Sequence, residues 1–251
     1  FNISNQLHPT NMTTLINDAL FAPLDADLHL ERIAGGNETE VYCTDDRCYV
    51  VKVKSDEGSE PDQALARAQA MRRAADGFSA VIGAQHSIPN NFIVAANSQG
   101  QAQPVIIQPY YQHASPLFTL DYSGMSAQER RQLAGQLLHI MRRSIFSYLG
   151  RGWMPDLYGR ASTSKAERKR LNTWRMLPWR LWSFFVQRNL LRSHNLLLTA
   201  APERRLILVD YDAVPHSKLY QFFYYVVRLL LFLRDLCLIL LMAAGGRVPK
   251  A

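Results

Sequence analysis

One stretch constrains the chain more than any other: Leu206-Ile207-Leu208-Val209-Asp210-Tyr211-Asp212. Strand-forming residues run straight into an aspartate, a residue depleted from strands. Upstream, Asn195 immediately precedes a second apolar run, Leu196-Leu197-Leu198. The pattern predicts two short strands joined by a turn, with an amide at one end and a carboxylate at the other. Such a corner can hold a metal ion against a phosphate through hard oxygen ligands. It can equally be a plain hairpin with a solvated aspartate.

A chain of 251 residues can bury one large core or two small ones. Its 48% hydrophobic and 20% charged content excludes a disordered chain. Residues 1–20 lack a basic start and a continuous apolar run, so no signal peptide is expected and a cytoplasmic location is. The net charge of +7 is concentrated. Nine basic residues and only Glu167 on the acidic side lie between Asp156 and Asn195. A block of this sign implies an acidic partner: nucleic acid, anionic lipid or a phosphorylated substrate. All four tryptophans fall in 153–182, where rings interleaved with arginines can stack on bases or sit at a lipid headgroup layer. They can also be the packing side of an amphipathic helix. Three cysteines do not make a disulfide framework. A two-residue turn at Asp45-Asp46 would set Cys43 opposite Cys48, as a cross-strand bond, a stray metal site or two ordinary strand thiols.

Taken in order, residues 1–31 form an N-terminal extension with a short helix expected over 14–20. Residues 32–54 read as strand, glycine turn, strand, tight turn, strand. In the last of these, Lys52 and Lys54 share one face, and Tyr49, Val51 and Val53 the other. A helix is expected over 62–76, then a strand pair over 92–97 and 103–108. Ser126-Ala127-Gln128-Glu129 is a capping box that opens a core helix over 127–149. Trp179 to Leu191 looks helical. Residues 218–244 form a strongly apolar helix on which Gln221, Arg228 and Asp235 recur every seven residues. Burial is the expected fate of that helix, with an interfacial role second.

The order of these parts resembles the protein-kinase-like superfamily in its compact, atypical branches. The resemblance covers residues 30–215. It implies an α+β fold of two lobes, a small β-rich lobe over 32–108 and a mostly helical lobe over 109–251, the latter with a basic Trp-rich insert at 160–192. Gly35 and Gly36 fall in the phosphate loop and Val41 just after it. Lys52 matches the phosphate-pairing lysine, and Gln108 and Tyr110 match the adenine-side hinge. Asp156 matches the catalytic aspartate; Asn195 and Asp210 match the Mg²⁺ ligands. ATP and Mg²⁺ are the implied cofactors, with an unidentified hydroxyl acceptor. Asp156 and Asn195 stand thirty-nine residues apart, where the family spacing is far shorter. Either the basic segment is an insertion within the catalytic loop or the catalytic aspartate is missing. Residues 64–74 hold no glutamate to pair with Lys52. The expected activities are therefore a phosphotransferase or an inactive, nucleotide-binding relative that acts as a regulatory module. The basic insert makes an anionic membrane surface a more natural partner than nucleic acid.

Overall fold

Alternating apolar and polar residues over 30–54 and 91–109 build a five-stranded antiparallel sheet. In the computed structural model, residues 30–35, 39–54, 59–96, 101–159, 173–182, 188–211 and 218–246 are described. The strands are β1 (Leu30–Gly35), β2 (Thr39–Thr44), β3 (Tyr49–Lys54), β4 (Asn91–Ala96) and β5 (Ala102–Pro109), in the order β1-β2-β3-β5-β4. The helix α1 (Pro61–Ile82) lies between β3 and β4 in sequence. The chain divides into two units, residues 1–76, 88–112 and 161–168 in the first and residues 77–87, 113–160 and 169–251 in the second.

In the first unit, Tyr42, Val51, Val53, Ile93, Ala95, Val105 and Ile107 pack on one face of the sheet. This is the face expected from the alternation in β3. Burying such side chains stabilises by roughly 1.5–3 kcal/mol each for the larger ones, which fixes register, since a one-residue slip would turn the whole set outward. The turn between β2 and β3 differs from expectation. It spans Asp45 to Cys48, so Cys43 pairs with Val50 and the two thiols do not face each other. Both cysteines are free. Asp46 explains the longer turn: its carboxylate accepts from the Cys48 N–H at 2.9 Å, and Arg47 takes a left-handed φ of 54°. The N-terminal extension to residue 29 and the glycine turn at 36–38 lie outside the described residues.

α1 runs six residues past its expected end. Phe78 and Ile82 are fully buried one turn apart, and that burial carries the helix through Asp76 and Gly77, a residue of low helix propensity. Gly77 permits the Trp153 ring to lie close, since a Cβ there would already be 3.4 Å from it. Phe78 meets the same ring edge-on at 4.2 Å between centroids.

The second unit is organised on α2 (Ala127–Arg151). Its capping box forms as the sequence predicts: Ser126 Oγ accepts from Glu129 N at 3.2 Å and Glu129 accepts from Ser126 N at 2.7 Å. The helix ends two residues later than expected, at a left-handed Gly152 rather than Gly150. A second sheet, β6-β7-β8, comprises Ser115–Pro116, Leu196–Leu198 and Leu206–Leu208. Gln136 on α2 clamps this sheet, accepting from Leu206 N at 2.7 Å and donating to Arg204 O at 2.9 Å. The helix expected over 179–191 is shorter: α3 spans Leu177–Trp182, and Arg188 and Asn189 are not helical.

The last helix, α4 (Lys218–Ala243), is buried on one side only. Tyr225, Arg228, Leu231, Phe232, Asp235, Ile239 and Met242 are buried. Arg228 and Asp235, two members of the polar stripe, therefore face inward, and leucines face out. Among the described residues, no helix is long and apolar enough to cross a membrane.

His86 ties the second unit to its pH. Its Nδ1–H donates to Leu206 O at 2.8 Å, and burial holds the ring below the ordinary imidazole range. A folded-state pKa that is depressed gives stability present above the unfolded value of about 6.5 and lost as pH falls through it. The melting temperature should therefore drop between about pH 7 and pH 5.5. In His86→Gln that slope should be shallower, and an identical slope would contradict the assignment.

Candidate functional site

Three of the sequence-predicted residues meet in the second unit. After the Gly152 cap the chain turns through Trp153-Met154-Pro155 to Asp156, whose Oδ1 accepts from Tyr158 N at 3.1 Å in an Asx turn. Ser193 Oγ donates to Leu157 O at 2.5 Å and accepts from the N–H groups of Asn195 and Leu196. His194 N donates to Tyr158 O at 2.8 Å. These bonds sew residues 157–159 beside 193–196. Asn195 Nδ2 then donates to Asp156 O at 2.8 Å and lies 3.4 Å from Asp210 Oδ2. Asp210 is placed from both sides: Val209 N donates to Asn195 O at 3.0 Å, and the buried Tyr211 packs on Phe78. The thirty-nine-residue separation thus closes: the segment between Asp156 and Asn195 leaves and rejoins the chain at one point.

Close approach at this corner depends on Gly159. Its φ is 63°, and a Cβ there would stand 2.1 Å from Asn195 Oδ1. No other residue fits both the conformation and the space.

Beneath Asp156 lies a polar network that the sequence did not reveal. Arg228, only 2% exposed, donates from its NH2 to Asp156 Oδ1 at 3.1 Å. Its guanidinium lies over the Tyr158 ring, 4.1 Å from the centroid. Tyr158 donates to Asp235 Oδ2 at 2.6 Å, and Leu190 N donates to the same oxygen at 3.3 Å. Arg234 donates twice to Asp235 Oδ1, at 2.8 and 3.1 Å, and also to Arg188 O. Burial pushes the Asp235 carboxyl above its usual range even against these donors. Burial, with Asp235 beside it, pushes the Tyr158 hydroxyl far up, so that it stays a donor at any working pH. Arg228 and Asp235 are the only strong signals of this network in the sequence, as charges seven apart in an apolar helix. Ser193, Tyr158 and Gly159 gave none without the pairing.

The remaining predicted residues belong to the first unit. Lys52, half-buried in β3, pairs with Val41 on β2 and Ile106 on β5. That row lies on the sheet face opposite the apolar cluster. Gly35 ends β1 opposite Glu40, and Gly36 lies outside the described residues. Gln108 is buried, and its Nε2 donates to Asn90 Oδ1 at 2.6 Å. The Tyr110 N–H donates to Cys48 O at 2.8 Å. Both expected hinge residues are thus engaged in closing their own unit.

Among the described residues no group of three or more His, Cys, Asp or Glu side chains could hold a metal. What Asp210 and Asn195 offer is a pair of hard oxygens, which suits Mg²⁺ when phosphates complete its shell. As arranged, the Asn195 amide turns its nitrogen to Asp210 and its oxygen to Gly159, so coordination requires that side chain to rotate. No protein-family model matches the chain, and no curated protein matches it either.

Gly159→Ala should cost about 3 kcal/mol in urea denaturation, from steric overlap plus a left-handed backbone. Gly135→Ala on α2 meets no atom within 4 Å and should be neutral or stabilising by up to about 1 kcal/mol. Equal effects at the two positions would contradict the close packing of Gly159 on Asn195.

Proposed function

We propose that this protein is an ATP-dependent phosphotransferase of the atypical kinase-like type, with the two-lobed architecture that the resemblance implies. The observation that carries this proposal is the meeting of Asp156, Asn195 and Asp210 across thirty-nine residues of intervening sequence. Phosphoryl transfer asks little covalent chemistry of a protein; it needs positioning and charge neutralisation. Asp210 and Asn195 would hold Mg²⁺, which would neutralise charge on the transferred group. Asp156 orients the acceptor hydroxyl and takes its proton. The pairing with Arg228 fixes the direction of its carboxylate. Lys52 takes the phosphate-pairing role that the resemblance implies for it.

Two observations favour the second possibility, a nucleotide-binding relative without turnover. Asp156 Oδ1 is already held by Arg228 and Tyr158 N, and no glutamate in residues 64–74 is available to Lys52.

Mg-ATP at a hundredfold excess over its dissociation constant should stabilise the protein by about 2.7 kcal/mol. The shift should vanish with EDTA and in Lys52→Ala or Asp210→Ala. Asp156→Asn should keep nucleotide binding and lose release of ADP by at least about a hundredfold. If wild type binds Mg-ATP but D156N releases ADP as fast as wild type does, the non-catalytic assignment replaces the first. No stabilisation by Mg-ATP in wild type removes both.

A further inference from the structure

α4 is built inside out for a helix in water. Every described side chain that it exposes is apolar or a thiol: Phe222, Leu230, Leu233, Cys237, Leu240 and Leu241. Leu230 and Leu233 are 62% and 63% exposed. The charges along the same stretch point the other way, with Arg228 and Asp235 buried and Arg234 turned onto Asp235. The stripe runs from Phe222 to Leu241, about 29 Å at the helical rise of ~1.5 Å per residue. Uninterrupted apolar surface of this length on a protein in water marks an interaction site.

We infer that the outward face of α4 seats this protein in the interfacial layer of an anionic membrane, lying along the surface. Charge and chemistry in the same unit select that occupant. Residues 169–192 carry six basic side chains and no acidic one, the complement of an anionic leaflet. Within that stretch Trp174 is 84% exposed and Trp179 45%, with exposed Arg175 between them. Tryptophan beside arginine suits the headgroup layer, where the ring is half-solvated and the guanidinium meets phosphate. A second copy of the chain is a poorer match. A helix that pairs in water brackets its apolar seam with charged positions free to reach a partner, whereas the half-buried positions here are Val226, Leu229 and Leu236, with Arg234 already held on Asp235. Nucleic acid finds no hydrogen-bonding group on the stripe. A span is not required, since no described helix is long and apolar enough to cross. The assignment is independent of phosphotransfer, because seating on lipid needs no nucleotide.

The test uses the full chain with Cys48→Ser, labelled at Cys237 with an environment-sensitive fluorophore. Cys43 is buried and Cys237 lies on the stripe. Vesicles of phosphatidylcholine with about 30 mol% phosphatidylserine should shift the emission to the blue, and pure phosphatidylcholine should bind at least about tenfold more weakly. The double variant L230E/L233E, with an unchanged circular dichroism spectrum, should lose at least about tenfold in vesicle binding. Three results would overturn the inference: vesicle binding unchanged in L230E/L233E, binding with no blue shift at Cys237, or no binding at low salt. A dimer that L230E/L233E dissociates, with no vesicle binding, would assign the stripe to a second copy. Binding to an oligonucleotide instead of to vesicles would assign the basic segment to nucleic acid.

Discussion

A guanidinium sealed from water must be answered by an anion, and in this protein Arg228 on α4 is answered by Asp156. Removing a charge from water costs several kcal/mol, which only close pairing and further polar contacts offset. The Tyr158 face supplies one such contact. Tyr158 is in turn fixed by Asp235, and Asp235 by Arg234 and Leu190 N. Six residues from the 156–158 loop, the 190 turn and α4 are therefore one interlocked set. Displacing any of them leaves a buried polar group without its partner, at a cost of about 1–3 kcal/mol for a neutral group and more for a charge. The position of the Asp156 loop follows from this set more than from its own short turn.

The corner above that network is assembled by hydrogen bonds to the main chain. Ser193 and His194 stitch their segment to residues 157 and 158, and Gly159 leaves room for the Asn195 amide. The residues that would do chemistry thus sit on two loops held to each other, with strand β8 delivering Asp210 from a third direction. A rigid base of this kind is what positioning a phosphoryl group demands, where small displacements cost large factors in rate. The same helix that anchors the base turns an unbroken apolar stripe outward. α4 thereby connects the interior of the second unit to whatever surface that stripe meets.

Much of the fold was legible because it rests on local rules. The β4–β5 pair and the β7–β8 hairpin follow from alternation and turn residues, and the start of α2 from its capping box. Where tertiary burial overrides local signals, the sequence misled. α1 continues through Asp76-Gly77 because Phe78 and Ile82 have a place to bury. α4 shows the same limit most sharply. The seven-residue recurrence of Gln221, Arg228 and Asp235 put the polar stripe on one side, but periodicity cannot say which side faces water. Apolar majority suggested burial all round; instead Arg228 turns inward to Asp156, and Leu230 and Leu233 are left exposed. In the candidate site, residue types and order located Asp156, Asn195 and Asp210. Their contact across thirty-nine residues depends on Ser193, Gly159 and Arg228, whose roles exist only once the loops are side by side.

The proposed binding of a metal–nucleotide at Asn195 and Asp210 is read most directly by NMR of the Asn195 side-chain amide during titration with Mn²⁺-ATP. Paramagnetic broadening should reach that NH₂ signal at substoichiometric Mn²⁺, alongside the Asp210 and Tyr211 amides, and should disappear in Asp210→Ala. Broadening that spares Asn195 and Asp210 while the nucleotide binds elsewhere, or no broadening at all, would contradict the account.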